Sequence, residues 1–303
     1  MANDKLALAS WIEEAEKRSL PLCEILIEKN CKNLGLERNE LIKNMKDMLD
    51  VMESSIQYGL TGIKSRSGLT GGNALKLREA LSESARPSIL GLNISDAVIF
   101  SLAVGEANAA MGRIVAAPTA GASGVLPGAL FSLKKNYGLS GEQLAEGLVV
   151  AGSIGLVIAS RSSISGAIGG CQAECGSAAA MAAGAAVSLL GGTPVQVGNA
   201  VAMTIKNMLG LVCDPVAGLV EVPCIKRNAG AVVQAMAAAE MALAGIESFI
   251  PPDEAIDAMK EVGDRLPCAL KETADGGLAA TPTALAWAEA YFSNEKQTKG
   301  ETK

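Results

Sequence analysis

The chain of 303 residues is long enough to bury a large core, and a hydrophobic content of 49% argues against intrinsic disorder. A net charge of −6 argues against a nucleic-acid surface and against an anchor to anionic membranes. The sequence contains no histidine, which excludes His-ligated zinc, Ser-His-Asp triads and Cys-His proteases within this chain.

The first half of the chain predicts helices separated by small-residue loops. Apolar residues recur at three- and four-residue steps over residues 5–57, which predicts helices with charged outer faces. Residues 58–74 are rich in Gly, Ser and Thr and predict a loop. Ser95 or Asp96 then predicts a helix start, because either side chain can cap backbone N–H groups. A second small-residue loop, APTAGASGVLPG, follows.

Two later helices have strong N-terminal signals. Ser140 and Gln143 form a capping-box pattern before LAEGLVVAGSIGLVIAS. Thr193 and Gln196 repeat this pattern, with Pro194 at the first helical position. Both motifs predict that a helix begins directly after the capping residue.

The uncharged run from Cys175 to Ile205 is long enough to raise the question of a membrane span. It consists mostly of Ala and Gly, and residues 191–194 (GGTP) interrupt it. We therefore predict two buried helices joined by a turn, and no association with a membrane. The N-terminal segment has no charged leader followed by an apolar core, so no signal peptide is expected.

A late helix is predicted from the PPDE segment to about Gly263, and residues 294–303 are expected to form a frayed polar tail. No convincing alternating strand occurs. The sequence thus predicts an all-α fold with one domain over residues 1–303. Residues 1–60 are a possible separate N-terminal helical layer.

Seven cysteines without an export signal favour a reducing cytoplasm, and the odd count favours metal binding or free thiols. Four of them, Cys171, Cys175, Cys213 and Cys224, lie in two loop segments. Their C-x3-C and C-x10-C spacings fit neither a zinc ribbon nor an electron-transfer ferredoxin. Spacing alone leaves open whether they bind a soft metal or are buried apolar thiols.

The strings GRIVAAPTAGASGVLPGAL, SIGLVIASRSSISGAIGGCQAECGSAAAMAAGA, NMLGLVCDPVAGLVEVPCIKRNA and ALAGIESFIPPDEAIDAM closely resemble the α chain of iron–sulfur-dependent L-serine dehydratase. The resemblance covers most of the chain, at least residues 67–282. It implies a [4Fe-4S] cluster on Cys171, Cys213 and Cys224, whose fourth iron has no protein sulfur ligand. Cys175 would lie near the cluster without binding it.

The resemblance also implies a second polypeptide. The β part of the family carries a Ser-His-Thr-x-Gly-Pro-Met motif that reaches the active site, and nothing like it occurs here. The chain therefore resembles the α subunit of a two-chain enzyme, and the resemblance implies a β subunit as its partner.

The implied reaction converts L-serine to pyruvate and ammonia, with the open iron acting as a Lewis acid. Candidate acceptors of the α-proton are Ser123, Lys64, Ser165 and Ser163, or the histidine of the partner. Each serine could instead bond its own backbone in a loop.

Asn73, Thr119 and Arg161 could bind the substrate. Arg161 could clamp the substrate carboxylate, or it could pair with Glu174 or Asp214. The basic pair Lys226 and Arg227 could balance the cluster charge or be solvated.

Four alternatives to this lyase stay open at this point. They are an L-cysteine desulfidase of similar chemistry, a redox module with Cys175 as a fourth ligand, a structural zinc scaffold, and a pyridoxal enzyme using Lys64.

Overall fold

The computed structural model describes residues 5–83 and 88–300. Thirteen α-helices lie within these ranges; strands are absent there, and two isolated bridges join Lys64 to Gly71 and Cys213 to Lys271. The all-α prediction is confirmed. The helices are α1 (Leu8–Arg18), α2 (Leu22–Leu34), α3 (Arg38–Gly59), α4 (Asn73–Glu83), α5 (Gly91–Ala109), α6 (Val125–Tyr137), α7 (Gly141–Arg161), α8 (Gly166–Gly169), α9 (Ser177–Leu189), α10 (Pro194–Met208), α11 (Cys224–Leu243), α12 (Pro252–Arg265) and α13 (Pro282–Gly300).

Helix α9 lies at the centre of the fold. It packs against α6, α7, α10 and α11, and its buried residues run without interruption from Ser177 to Val187. Most of these residues are Ala or Gly, so the surrounding helices come close to its axis. A Cβ at Gly184 would overlap the side chain of Ile154. A helix that is apolar on all sides is typical of a protein core.

The N-terminal helices pack onto this core. Helices α2 and α3 contact α7, and α1 contacts α10. Asp253 of α12 caps α1, since its carboxylate accepts hydrogen bonds from the backbone N–H groups of Leu8 (2.9 Å) and Ala9 (3.0 Å). The buried apolar core extends from Leu8 to Met259. The interpretation of residues 1–303 as one domain with a layer at 1–60 stays a prediction.

Both predicted capping boxes are present, at Ser140 with Gln143 and at Thr193 with Gln196. In each, the hydroxyl accepts a hydrogen bond from the glutamine backbone N–H, and the glutamine side-chain oxygen accepts one from the backbone N–H of the capping residue. These two predictions are confirmed, because a cap depends on residues only three positions apart.

The predicted start of α5 at Ser95 or Asp96 is wrong by four or five residues, because the helix begins at Gly91. The hydroxyl of Ser95 bonds the hydroxyl of Ser88 at 2.5 Å instead of capping the helix. The carboxylate of Asp96 pairs with Lys135 at 2.8 Å. Tertiary partners thus occupy both side chains that could have capped a later start.

The uncharged run forms α9 and α10, joined by a turn at Gly191, as predicted. In the described part of the chain, α7 is the one helix long and apolar enough to cross a membrane, and 67% of its apolar window is buried inside the protein. The segment 294–303, predicted to fray, is helical through Gly300, and residues 301–303 lie outside the described ranges.

Candidate active site

Four of the seven cysteines are buried, three of them near the N-terminal ends of α9 and α11 and one in the loop between α10 and α11. Cys171 precedes a π-helical turn, Gln172–Gly176, which contains Cys175 and continues into α9. Cys213 lies in the loop after α10, and Cys224 is the first residue of α11. Each of the four side chains is at most 7% exposed. A π-turn within a helix is often associated with a functional site.

The side chain of Gln172 holds the π-helical turn in place. Its amide nitrogen donates to the carbonyl of Met259 on α12 at 2.9 Å. Its amide oxygen accepts from the backbone N–H of Gly210 at 2.9 Å, in the loop that leads to Cys213. Because Gln172 is fully buried, these bonds are shielded from water. They fix the Cys171 segment relative to the Cys213 segment.

Asn228 joins three segments of the site. Its amide nitrogen donates to the carbonyls of Gly121 (2.7 Å) and Cys224 (2.9 Å) and lies 3.9 Å from the sulfur of Cys175. Its amide oxygen accepts from the backbone N–H of Gly124 at 3.0 Å. The buried amide therefore connects the loop before α6, the π-helical turn and the start of α11.

The four thiols are close enough to change one another's ionisation. The Cys175 thiol donates a hydrogen bond to the Cys171 sulfur, which lowers the pKa of Cys171 and raises that of Cys175. Burial, together with the charge of Cys171, raises the pKa of Cys213 well above its usual value and that of Cys224 to about 12. A bound metal centre would offset the free-energy cost of burying ionised thiols, because its cysteine ligands bind as thiolates.

Gly166, the first residue of α8, lets the backbone approach Cys213. A Cβ at this position would lie 2.9 Å from the Cys213 sulfur, 3.1 Å from Oε2 of Glu272 and 3.4 Å from Oε2 of Glu174. A thiol and two carboxylates therefore face the same glycine.

Glu174 projects from the π-helical turn toward the loop before α6. Its Oε1 would lie 2.6 Å from a Cβ at Gly121, and it accepts a hydrogen bond from the Thr119 hydroxyl. Burial raises the pKa of Glu174; the Thr119 bond lowers it, and the nearby charge of Glu272 raises it further. Thr119, a predicted substrate-binding residue, thus orients a carboxylate beside the cysteines.

Arg227, three residues after Cys224, places a positive charge near the buried thiols. Its guanidinium pairs with the carboxylate of Asp214 at 2.7 Å and donates to the carbonyl of Val212 at 2.8 Å. Burial opposes its charge, but Cys171 and Asp214 outweigh burial and raise the pKa of Arg227. Lys226 is exposed. Of the two basic residues considered from the sequence, the structure brings Arg227 to the thiols.

A serine-rich loop is tied to the segment between Cys213 and Cys224. The Ser67 hydroxyl lies 2.8 and 2.9 Å from the two carboxylate oxygens of the buried Glu221. Ser65 bonds Ser67 at 3.1 Å. Lys64 in the same loop is exposed.

Two candidate bases have different surroundings. Ser123 is 1% exposed, and its hydroxyl has no hydrogen-bond partner within residues 5–83 and 88–300. Ser165 is half-buried before α8, and its backbone N–H donates to the Ser163 hydroxyl at 3.1 Å. The catalytic roles of Ser123, Ser165 and Lys64 stay predictions.

The two remaining predicted residues contact other parts of the fold. Asn73 begins α4, and its backbone and side-chain N–H groups donate to the buried Glu106 at 2.7 and 2.6 Å. Arg161 pairs with Asp257 at 2.5 Å and donates to the carbonyl of Leu6 at 3.2 Å. This acidic partner differs from both acidic residues considered from the sequence.

The chemistry of the donor set can be compared with that of metal centres. Among the described residues, no group of three or more His, Cys, Asp or Glu side chains has the spacing of a single-ion site. A cluster is a larger body that takes thiolate ligands. Three properties fit it here: the thiols are buried, α11 begins at Cys224 with its partly positive end, and Gly166 allows close approach.

Sequence reasoning missed the residues that connect the cysteine loops. Glu174 stands inside the recognised string GCQAECG, but only tertiary packing shows its contact with Thr119. Asn228 lies four residues after Cys224, one helical turn away, so the helix register could have placed it beside that cysteine.

A family model described as "Serine dehydratase alpha chain" matches residues 17–279. The chain belongs to this family. It is 52% identical over 272 residues to the "Probable L-serine dehydratase, alpha chain" of Bacillus subtilis, covering 90% of each chain. It is 41% identical over 273 residues to the "L-serine dehydratase, alpha chain" of Peptoniphilus asaccharolyticus, covering 90% of this chain and 93% of that one.

Longer relatives match over part of their length. The "L-serine dehydratase 2" of Escherichia coli is 38% identical over 272 residues, which cover 84% of this chain and 60% of the relative. The relatives of this chain therefore include both chains of about its length and chains that carry additional sequence.

Proposed function

We propose that this chain is the α subunit of an L-serine ammonia-lyase, an enzyme that converts L-serine to pyruvate and ammonia. The observation that carries the proposal is the buried set of Cys171, Cys213 and Cys224, whose loops Gln172 and Asn228 hold together. The set occurs in a chain 52% identical to a probable L-serine dehydratase alpha chain.

The proposed cofactor is a [4Fe-4S] cluster held by Cys171, Cys213 and Cys224. When bound, it supplies an iron with an open position, a Lewis acid for the hydroxyl and carboxylate oxygens of the substrate. Cys175 hydrogen-bonds Cys171 and is proposed to support this ligand without binding iron. Arg227 places a fixed positive charge near the thiolates, which favours their ionised form.

The reaction removes one proton from the α-carbon and releases the β-hydroxyl as water. The aminoacrylate product then tautomerises to an imine, which water hydrolyses to pyruvate and ammonia. Proposed acceptors of the α-proton on this chain are Ser123, Ser165 and Lys64, with the partner histidine as the further candidate. The burial of Ser123 and its unpartnered hydroxyl favour it among the three.

The proposed partner is a β subunit that completes the active site. This chain has no histidine, and two relatives named as alpha chains match it over 90% and 93% of their length. The longer E. coli relative matches over 60% of its length. In the proposed assembly, a separate β chain supplies the part of the longer relative that this chain does not match. The seven free thiols support a reducing cytoplasm as the proposed location.

The decisive experiment is anaerobic reconstitution with iron and sulfide, alone and with a coexpressed β chain, followed by a pyruvate assay on L-serine. Cys213→Ala should abolish activity and iron retention, whereas the exposed Cys268→Ala should change neither. Cys175→Ala should retain iron; loss of the cluster in this variant would favour four-cysteine ligation and a redox role.

Assaying L-cysteine in parallel tests the desulfidase alternative, which the names of the relatives do not favour. Faster release of sulfide from cysteine than of pyruvate from serine would contradict the proposed substrate. Full activity in a colourless, metal-free protein would contradict the cofactor.

A further inference from the structure

The carboxylate of Glu174 occupies a space that two glycines leave open beside Cys213. Its Oε1 faces Gly121 and is bonded by the Thr119 hydroxyl. Its Oε2 faces Gly166, next to the Cys213 sulfur, and accepts no hydrogen bond from the described residues. One oxygen is therefore fixed by the protein, and the other points toward the proposed cluster with capacity for a donor.

The charges around Glu174 leave it without a counter-ion. Oε2 of Glu272 approaches the same point near Gly166, and the surrounding cysteines would add thiolate charge. The ion pairs formed by described side chains do not include Glu174 or Glu272. Arg227, the buried cation nearby, is paired with Asp214. A half-buried carboxylate in such surroundings favours a cationic ligand.

We propose that Glu174, oriented by Thr119, binds the α-ammonium group of the amino-acid substrate. This inference rests on the proposed function, in which L-serine is the substrate. The ammonium is the one cationic group of serine, and a carboxylate is its strongest hydrogen-bond acceptor. Because Oε2 and the Cys213 sulfur both face Gly166, a substrate held there by its ammonium group would be next to the proposed cluster ligand. Glu174 thereby selects 2-amino acids over 2-hydroxy acids.

Glu174→Gln tests this role, because it removes the charge and keeps the volume and an oxygen for the Thr119 hydroxyl. We expect the KM for L-serine to rise about 10- to 100-fold, the value of one charge-assisted hydrogen bond, with kcat changing less. Glu174→Asp keeps the charge and should fall between wild type and Glu174→Gln. Glu16→Gln, on the exposed surface of α1, is the matched control.

Equilibrium binding to the reconstituted two-chain enzyme gives a second readout without turnover. Calorimetry with L-alanine and L-lactate compares an ammonium with a hydroxyl on the same skeleton. Wild type should bind L-alanine more tightly, and Glu174→Gln should weaken L-alanine about 10- to 100-fold while changing L-lactate by less than about threefold. Iron content and thermal melting are measured for every variant.

Three results would overturn the inference: equal binding of L-alanine and L-lactate by wild type, an unchanged KM in Glu174→Gln, or loss of iron in that variant. The last would assign Glu174 to holding the cluster. Failure of the proposed function has a different signature. In that case wild type produces no pyruvate from L-serine, while the L-alanine and L-lactate comparison still reports on Glu174.

Discussion

Gly166 is the position where one added methyl group should disturb the proposed cluster site most directly. It is buried at the start of α8, and its φ lies outside the left-handed region, so alanine is compatible with its backbone. The new Cβ would stand 2.9 Å from the Cys213 sulfur. The substitution therefore acts first on Cys213, the proposed ligand, and then on the Glu272 carboxylate at 3.1 Å, rather than on the helix backbone.

The size of the effect follows from how little Cys213 can move. An ordinary carbon contact begins near 3.4 Å, so the sulfur or α8 must shift by about 0.5 Å. The Cys213 backbone is held by hydrogen bonds to the carbonyl of Leu270 (2.9 Å) and from the N–H of Glu272 (2.8 Å). Overpacking of this kind costs about 1–3 kcal/mol. If the cost falls on the cluster, its retention weakens roughly 5- to 100-fold.

Iron release is the appropriate assay. Gly166→Ala and wild type are reconstituted anaerobically with the β chain, and iron loss to a chelator is followed over time. Gly230→Ala on the exposed surface of α11 is the matched control, because a Cβ there has no neighbour within 4 Å. That control should gain about 0.5–1 kcal/mol of stability from helix propensity and keep its iron.

Retention of iron and of full serine turnover in Gly166→Ala would refute the reasoning. It would mean that Cys213 is not a ligand, or that α8 moves away without cost. Equal iron loss in Gly230→Ala would show that the assay reports general destabilisation instead of a contact with Cys213.

Three further substitutions test the connections around the site. Asn228→Ala removes the buried amide that joins three segments and should cost about 1–3 kcal/mol of stability, measured by thermal melting, together with part of the iron. Arg227→Met leaves the carboxylate of Asp214 buried without its cation and should cost about 3 kcal/mol. Arg161→Lys weakens the pair with Asp257 and should cost at most about 1 kcal/mol while leaving the KM for L-serine unchanged.

Each of these expectations has a contrary outcome. Wild-type melting of Asn228→Ala would show that water replaces its bonds. An unchanged melting temperature in Arg227→Met would mean that Asp214 is solvated or protonated at little cost. A raised KM in Arg161→Lys would support the carboxylate clamp considered from the sequence.

Local patterns predicted much of the fold. The capping boxes at Ser140 and Thr193 depend on side chains three residues apart, and the turn at Gly191 depends on glycine and proline punctuation. These signals need no knowledge of the rest of the chain. The same logic failed for α5, because the side chains of Ser95 and Asp96 are occupied by Ser88 and Lys135.

The candidate site was predictable only in part, because its supporting contacts also join residues that are far apart in the sequence. The recognised strings singled out three cysteines, but the sequence does not show that Glu174 faces Gly121 across 53 positions of the chain or that Arg161 pairs with Asp257. Such pairs depend on how the helices cross in the folded protein. Neither the composition nor the spacing of residues along the chain predicts them. The sequence therefore indicated the chemistry more fully than the contacts that support it.

The alanine-rich centre of α9 has an entropic consequence for the site it supports. Most of its residues are alanine or glycine, which have no side-chain rotamers to freeze when the chain folds, so ordering this helix costs mainly backbone freedom. It also offers few alternative packings once the surrounding helices close on it. The π-helical turn that contains Cys175 thus continues into a helix whose side chains have few alternative conformations, which favours constant positions for the buried thiols beside it.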